Sequence, residues 1–535
     1  MFRSLRSPNR VAVLATAVVA GLALPTLLAS TASAVAASAR IDRPAIQPLP
    51  ANLEAIRSAE ATALYGSPDI RPIEQRQTAI ITMGDSEISG EGVGNYVPGT
   101  HQDGNWCDRS YDQAVFRTGI AADQRYNIAC SGAQPRHLVY GSGQFQHNEL
   151  NQGDHLAIKA RNTHLKLVWV VVGANGPNTI EFGPVATDCA LQRVLLQGPC
   201  YDEYTDVWAT RVEGSRQEVE AALASIKQTM HDAGYLPSDF QLVLMSYPSP
   251  GSPDVEDNPN FPGWYSGGCL LYLHDVAFAR NKAVPMFEAK LRQAALNQGV
   301  RYLDASRLFH GYEVCEASTS VRGLFIEIGI WNENAARQSF HPNNRGHGMF
   351  ASCMTDFYSS GQPTATCLAP NSTGTTALVS GFLEFKQLRN VATGNCVDAN
   401  GYNSRVGTRL ESYTCHGGRN QGYWYDPTRQ TINIELSHDR CLAPDGSLSN
   451  GTDVKLADCN GSAQQKWVFA GQQIKSASNA NLCLGFDSPF LGLWTPRLEL
   501  QTCSSSNRQK FAFETRNYAN PAGYGHDDFI GSRVY

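Results

Sequence analysis

The chain has 535 residues, 42% of them hydrophobic, and a net charge of −6. That length exceeds one ordinary core and predicts two domains or more. The charge carries no basic excess, which argues against a nucleic-acid partner; the 13 histidines and 14 cysteines show no tight metal-ligand spacing, so no metal site is expected.

The N-terminus reads as a secretory signal. Arg3, Arg6 and Arg10 form a basic start, Val11 to Leu28 is an apolar run, and Ala32-Ser33-Ala34 is a small-residue cleavage site. The run approaches spanning length, so a membrane anchor is the rival reading. Pro25 and the cleavage site favour removal of residues 1–34. No later segment is a long uninterrupted apolar run, so an exported, extracellular chain without a membrane span is expected. Export makes the cysteines disulfide candidates. Residues 35–75, rich in Ala and Pro, have no clear core pattern and read as an N-terminal extension.

Strand and helix signals alternate from Thr78. Ala79–Met83, Leu165–Val172, Gln241–Met245 and Val300–Leu303 are short apolar runs that suit a parallel sheet buried on both faces. Between them, Glu218, Ala221, Ala222, Ile226 and Met230 recur at helical spacing after Ser215, a candidate N-cap. Phe287–Leu296 reads as another helix. The alternation predicts a doubly wound α/β layer. The irregular stretch Ser246–Asp275 follows a strand's carboxyl end; its Phe261, Trp264 and Tyr265 either line a site or pack a surface loop. Residues 359–380 have the Ser/Thr/Gly/Pro composition of a linker.

A threefold repeat follows. Cysteine pairs recur as Cys396/Cys415, Cys441/Cys459 and Cys483/Cys503. Gln-x-aromatic triplets begin at Gln421, Gln465 and Gln509, at intervals of 44 residues. Residues 517–535 hold no interpretable motif.

Four short segments carry chemistry: Gly84-Asp85-Ser86, Ala129-Cys130-Ser131-Gly132-Ala133, Gly173-Ala174-Asn175-Gly176 and Ser339-Phe340-His341-Pro342-Asn343. Ser86 and Asn175 each sit just beyond a predicted strand, on the edge where open α/β sheets bind ligands. Ser86 is a candidate nucleophile, or a plain helix N-cap. A serine nucleophile needs a base within hydrogen-bond reach, and His341 is the candidate. Without a Cβ, Gly132 lets the backbone approach a substrate.

The order and spacing of these segments resemble the SGNH/GDSL family of serine esterases and lipases, over residues 76–358. The resemblance implies a flavodoxin-like α/β/α fold, an acyl-serine intermediate on Ser86 and His341 as base. It also implies an oxyanion hole of the Ser86 and Gly132 amides with the Asn175 side chain, and no cofactor. Two positions depart from the family pattern. Gln338 stands where an Asp usually precedes the His by three residues, and Gly176 replaces the Asp that often follows the Asn. Loss of a triad carboxylate can lower kcat by about 10⁴. A main-chain carbonyl near Gln338 can orient the imidazole instead; Glu333 is the other candidate orienter. Tyr96, Cys107, Arg109, Ser110, Gly311, Cys315 and Trp331 are further matches, with Asp304 and His347 read as structural. Among the many possible disulfide connectivities, neighbour pairing would join Cys107–Cys130, Cys189–Cys200, Cys269–Cys315 and Cys353–Cys367.

The repeats resemble a ricin-type β-trefoil lectin over residues 381–516. That resemblance implies a sugar site from an Asp, an aromatic and an Asn, present in the first repeat as Asp398, Tyr413 and Asn420. The second repeat has Ala443, Ala457 and Gln464 there, and the third Gly485, Gln501 and Arg508, so one competent site is expected. The sequence thus reads as a secreted serine esterase/lipase with a glycan-targeting lectin domain, its partners an ester substrate (a lipid or an acylated glycan) and a glycan. The rivals are a carbohydrate O-deacetylase, an acyltransferase, and a glycan-binding protein with an inactive hydrolase domain.

Overall fold

A computed structural model describes residues 42–251, 271–314, 316, 318–323, 337–370, 376–437, 440–488 and 495–515. Residues 1–34, Phe261, Trp264, Tyr265, Cys269, Cys315, Trp331, Glu333 and residues 517–535 lie outside the described residues. Among the described residues no helix is long and apolar enough to cross a membrane.

The first domain is built on seven strands: β1 Thr78–Gly84, β2 Gln124–Asn127, β3 His164–Val171, β4 Gln241–Met245, β5 Arg301–Arg307, β6 Thr364–Leu368 and β7 Ala377–Ser380. Their spatial order is β2-β1-β3-β4-β5-β6-β7. All neighbours are parallel except β7, which runs antiparallel to β6. The helices in chain order are α1 Ala51–Tyr65, α2 Ser86–Ser89, α3 Ala114–Arg117, α4 Gln152–Asn162, α5 Phe182–Val194, α6 Tyr201–Thr205, α7 Trp208–Asp232, α8 Leu273–Phe278, α9 Val284–Asn297 and α10 Asn344–Ser360.

The central strands β1, β3 and β4 are largely apolar because both faces are covered. Ile81, Met83, Val168, Val170 and Leu244 turn to one core, which Val219, Leu223 and Ile226 of α7 and Leu291 and Ala294 of α9 complete. The alternate residues Ile80, Leu167, Trp169, Val171 and Val243 turn to the other, closed by Phe350, Met354 and Phe357 of α10. This period-two split places helices on both sheet faces, a doubly wound α/β/α domain.

Three expectations are corrected. Residues 359–380 predict a linker, yet they carry β6 and β7, with Ala365 buried and Cys367 bridged to Cys353 on α10. Ser215 is not an N-cap: α7 begins at Trp208, and the Ser215 hydroxyl donates mid-helix to the Gly173 carbonyl at 2.9 Å. Residues 35–75 contain α1, which packs Leu53 against Ala157 and Ile158 of α4. Arg57 of α1 also donates to the Asn162 side chain at 3.2 Å.

Among the described residues the second domain has twelve strands between Lys386 and Thr515 around one core that includes Tyr423, Trp467 and Phe511, the triplet aromatics. It is all-β, a β-trefoil. Disulfides Cys107–Cys130, Cys189–Cys200, Cys353–Cys367, Cys396–Cys415, Cys441–Cys459 and Cys483–Cys503 are formed. The Cys269–Cys315 pair lies outside the described residues.

Candidate active site

Three strand ends converge on Asp85. The residue follows β1 and caps α2, its carboxylate accepting from the Glu87 amide at 3.1 Å. The cap is therefore Asp85, not Ser86. Tyr247, just beyond β4, donates its hydroxyl to Asp85 Oδ2. Asn175, just beyond β3, donates its side-chain amide to the same oxygen and to the Ala133 carbonyl, both at 3.4 Å. These bonds hold Asn175 where Gly176 offers no carboxylate. Burial pushes the Asp85 carboxyl up to about 7, against the pull of its Tyr247 and Glu87 donors.

Ser86 is the first residue of α2, where amides have no partner inside the helix and the helix dipole is positive. Its Oγ lies 2.7 Å from His341 Nε2, across 255 residues of sequence. The histidine loop is held rigidly. Phe340 adopts φ 63°, an uncommon conformation for a bulky side chain. Reciprocal main-chain bonds fix it: the Phe340 amide donates to the Arg322 carbonyl, and the Arg322 amide to the His341 carbonyl. Asn343 then caps α10.

His341 Nδ1 is buried and meets hydrogen-bond geometry with no partner among the described residues. The main chain of Ser339, Arg337 and Gln338 nonetheless favours the protonated form of the ring. Burial outweighs this and lowers the imidazole to about 4. Gln338 is itself buried, and Glu333 lies outside the described residues. Gly132 has φ 73° and shares one cleft with Ser86, Asn175 and His341, so the structure brings all four predicted site residues together. Asp304 lines neither space at Ser86; it accepts from Ser246, the Ser306 amide and Thr366. His347 is buried and accepts from the Ala114 amide.

Two residues of this site carry no signal in the sequence beyond ordinary motif neighbours. Tyr247 is one. Glu91 is the other: it is buried, accepts from the Ser131 hydroxyl, and places Oε2 3.9 Å from His341 Nε2. Burial, with Asp108 nearby, pushes its carboxyl up to about 8. Below that pH it is uncharged and does not lift the histidine. A neutral imidazole is the form that can accept the serine proton, so activity is lost as pH falls through the histidine pKa. The acid limb of kcat/KM is expected near pH 4. A midpoint at the ordinary histidine value of about 6.5 would contradict it.

Two spaces meet at Ser86. An inner cavity of about 150 Å³ is lined by Ile180, Tyr201, Trp208, Phe278 and Phe287. A wider cleft of about 680 Å³ is lined by Gly132, Gln146, His147, Leu191, Val194 and Arg337. Among the described residues the one grouping with metal-ligand spacing is Cys189, Cys200 and Asp275. Its two sulfurs form a disulfide, which leaves no thiolate to bind an ion.

In the second domain the triplet glutamines repeat one job. Gln421, Gln465 and Gln509 each accept from main-chain amides just after the second cysteine of their repeat. Each also donates to the carbonyl just before that cysteine. In the first repeat, Asp398 Oδ2 accepts from Asn420 at 2.9 Å and from Gln421 at 2.8 Å. His416 Nε2 lies 3.2 Å from the same oxygen. Tyr413 is 54% exposed and sets its ring at right angles to His416.

Residues 384–511 match the family model of the ricin-type beta-trefoil lectin domain. This region is a ricin-type β-trefoil. No curated protein sequence matches the chain. Solved structures that align with the trefoil include the C-terminal domain of an earthworm lectin determined with 6'-sialyllactose. It has 18% identity, covers 24% of this chain and 98% of that one, and has a TM-score of 0.22. The first domain aligns with phospholipase A1 from Streptomyces albidoflavus, at 19% identity, 52% and 97% coverage and a TM-score of 0.34. It also aligns with an extracellular lipase from Streptomyces rimosus, at 20% identity, 53% and 100% coverage and a TM-score of 0.32.

Within the trefoil, the third repeat is closed at the position matching Asp398. A Cβ on Gly485 would lie 2.4 Å from Gln501 Oε1, so the glutamine occupies that space. His416 joins the Asp398 cluster without a signal in the sequence. It follows the second cysteine and reaches Asp398 only through the fold.

Proposed function

We propose that the chain is a secreted serine esterase or lipase that hydrolyses carboxylic esters through an acyl-enzyme on Ser86. The single observation that carries this reading is the 2.7 Å contact between Ser86 Oγ and His341 Nε2 at the floor of an apolar cavity. The serine oxygen attacks the ester carbonyl as its proton passes to Nε2. The carbonyl oxygen becomes an oxyanion, received by the Ser86 and Gly132 amides and the Asn175 side chain; one such donor is worth about 10²–10³ in kcat. His341 returns its proton to the leaving alcohol, then activates water to release the acid.

The aromatic and aliphatic lining of the inner cavity suits an acyl chain longer than acetyl, which favours a lipase over an O-deacetylase. The test is turnover of p-nitrophenyl esters from acetyl to palmitoyl, with Ser86→Ala alongside. Ser86-dependent turnover rising beyond acetyl supports the reading. No turnover above the variant's background sinks it.

In this reading Ser86 and His341 work as a dyad, and the main chain of residues 337–339, which favours the protonated ring, orients it. Gln338→Ala is then expected to keep kcat within about tenfold of the parent. A loss nearer 10⁴ would assign the orienting role to the side chain.

The trefoil serves to hold the enzyme on a glycan. Asp398 and Asn420 are fixed to each other, beside the exposed ring of Tyr413. A sugar would stack on that ring and bond the polar pair. Tyr413→Ala should abolish binding on a glycan array, and unchanged binding there would remove the first repeat from the account.

A further inference from the structure

A run of exposed apolar side chains lies beside the cleft that holds Ser86. Cys189–Cys200 ties off a short segment at the end of α5. Within it Leu191 is 42% exposed, Val194 45%, Leu195 60% and Leu196 76%. A leucine so exposed gains little by burial, and Leu196 also sits at φ 58°, where leucine is uncommon. Between Leu191 and Gly198 the segment has one charged residue, Arg193, and no acid.

The patch is continuous with the site. Leu191 and Val194 line the same cleft as Ser86 and His341. Gln146 and His147 line it too, and their neighbour Phe145 is 66% exposed. Apolar groups of the α5 end therefore border this cleft, as they line the inner cavity. Contiguous exposed apolar surface of this kind marks an interaction site. Its continuity with the acyl cavity identifies the occupant: whatever covers the patch also feeds an apolar chain inward.

We propose that Leu191, Val194, Leu195, Leu196 and Phe145 form a docking surface for a lipid–water interface, holding the cleft open toward aggregated ester substrate. This rests on the ester-hydrolase reading for its purpose but not for its test. Side chains at the tip of a disulfide-tied turn would enter the headgroup–acyl boundary, with strength set by the apolar area they bury. A glycan would not require this patch, and the trefoil supplies a separate surface for one.

The test uses the full mature chain carrying Ser86→Ala, so that binding is read without turnover. The probe is phosphatidylcholine vesicles, which offer no sugar to the trefoil, in a co-sedimentation assay. The parent is expected to bind. Leu195→Gln with Leu196→Asn should weaken binding by about tenfold or more; asparagine tolerates the left-handed backbone at 196. Phe145→Ser, on a different segment, should weaken it independently if the pair disturbs folding. With Ser86 restored, the pair should leave hydrolysis of monomeric p-nitrophenyl butyrate unchanged while lowering hydrolysis of lipid in vesicles. A parent that does not sediment, or variants that bind as well as the parent, would overturn the proposal. So would a concentration-dependent dimer that the pair dissolves without any vesicle binding. Failure to hydrolyse monomeric esters would instead sink the esterase reading and leave the vesicle result standing.

Discussion

Replacing Ser86 with Ala is expected to lower kcat for ester hydrolysis by about 10⁴–10⁶, and His341→Ala to do nearly the same. The double variant should be no worse than either single one, because the two act as a unit and neither retains its role alone. The structural basis is their 2.7 Å contact, with neutral His341 as the acceptor. Loss of the serine leaves no nucleophile; loss of the histidine leaves a hydroxyl without a base. What remains in each case comes from the oxyanion donors and the cavity. Steady-state kinetics on one p-nitrophenyl ester for all four proteins measures this. Additive losses in the double variant would mean that the two residues work in separate steps.

Gly84→Ala should prevent folding to the active state. Gly84 ends β1 at φ 138°, and a Cβ there would lie 1.8 Å from the Val171 carbonyl oxygen of β3. That oxygen accepts from the Asp85 amide at 3.0 Å. Gln152 clamps the glycine from the other side, donating to its carbonyl and accepting from its amide, both at 2.7 Å. The methyl can be housed only by parting β1 from β3 or releasing this clamp, and either moves Asp85 and Ser86. A penalty of about 4 kcal/mol or more follows, enough to unfold a typical domain in part or whole. Thermal unfolding by calorimetry is the check; a variant with the parent's Tm would contradict it.

Much of this architecture is legible in sequence because it rests on apolar runs and local motifs. β1, β3 and β4 show as hydrophobic segments since both faces are buried, and β5 shows only at its start, in the run Val300–Leu303. β2 does not: Gln124–Asn127 is a polar edge strand, partly exposed throughout. β6 and β7 are masked by Ser/Thr/Gly composition, although Thr364–Leu368 is nearly all buried and threonine suits a strand. The onset of α7 carries no cap residue, so its first turns are invisible to a reading that looks for one.

The site divides along the same line. Ser86, Gly132, Asn175 and His341 stand inside recognisable segments. Their supports do not: Tyr247 meets Asp85 across 162 residues, and Ser131 meets Glu91 across 40. Such contacts are products of strand order, which no local pattern encodes. The departure at Gln338 is legible, but the replacement proposed for the carboxylate is main chain, and main-chain carbonyls carry no sequence signature.

The most direct test of the account is covalent trapping of the nucleophile. The mature protein, Ser86→Ala and His341→Ala would each be treated with a fluorophosphonate and read by intact mass and peptide mapping. One stoichiometric adduct is expected on Ser86 in the parent, none in Ser86→Ala, and greatly slowed labelling in His341→Ala. No adduct on the folded parent, or an adduct on another serine that survives Ser86→Ala, would contradict it.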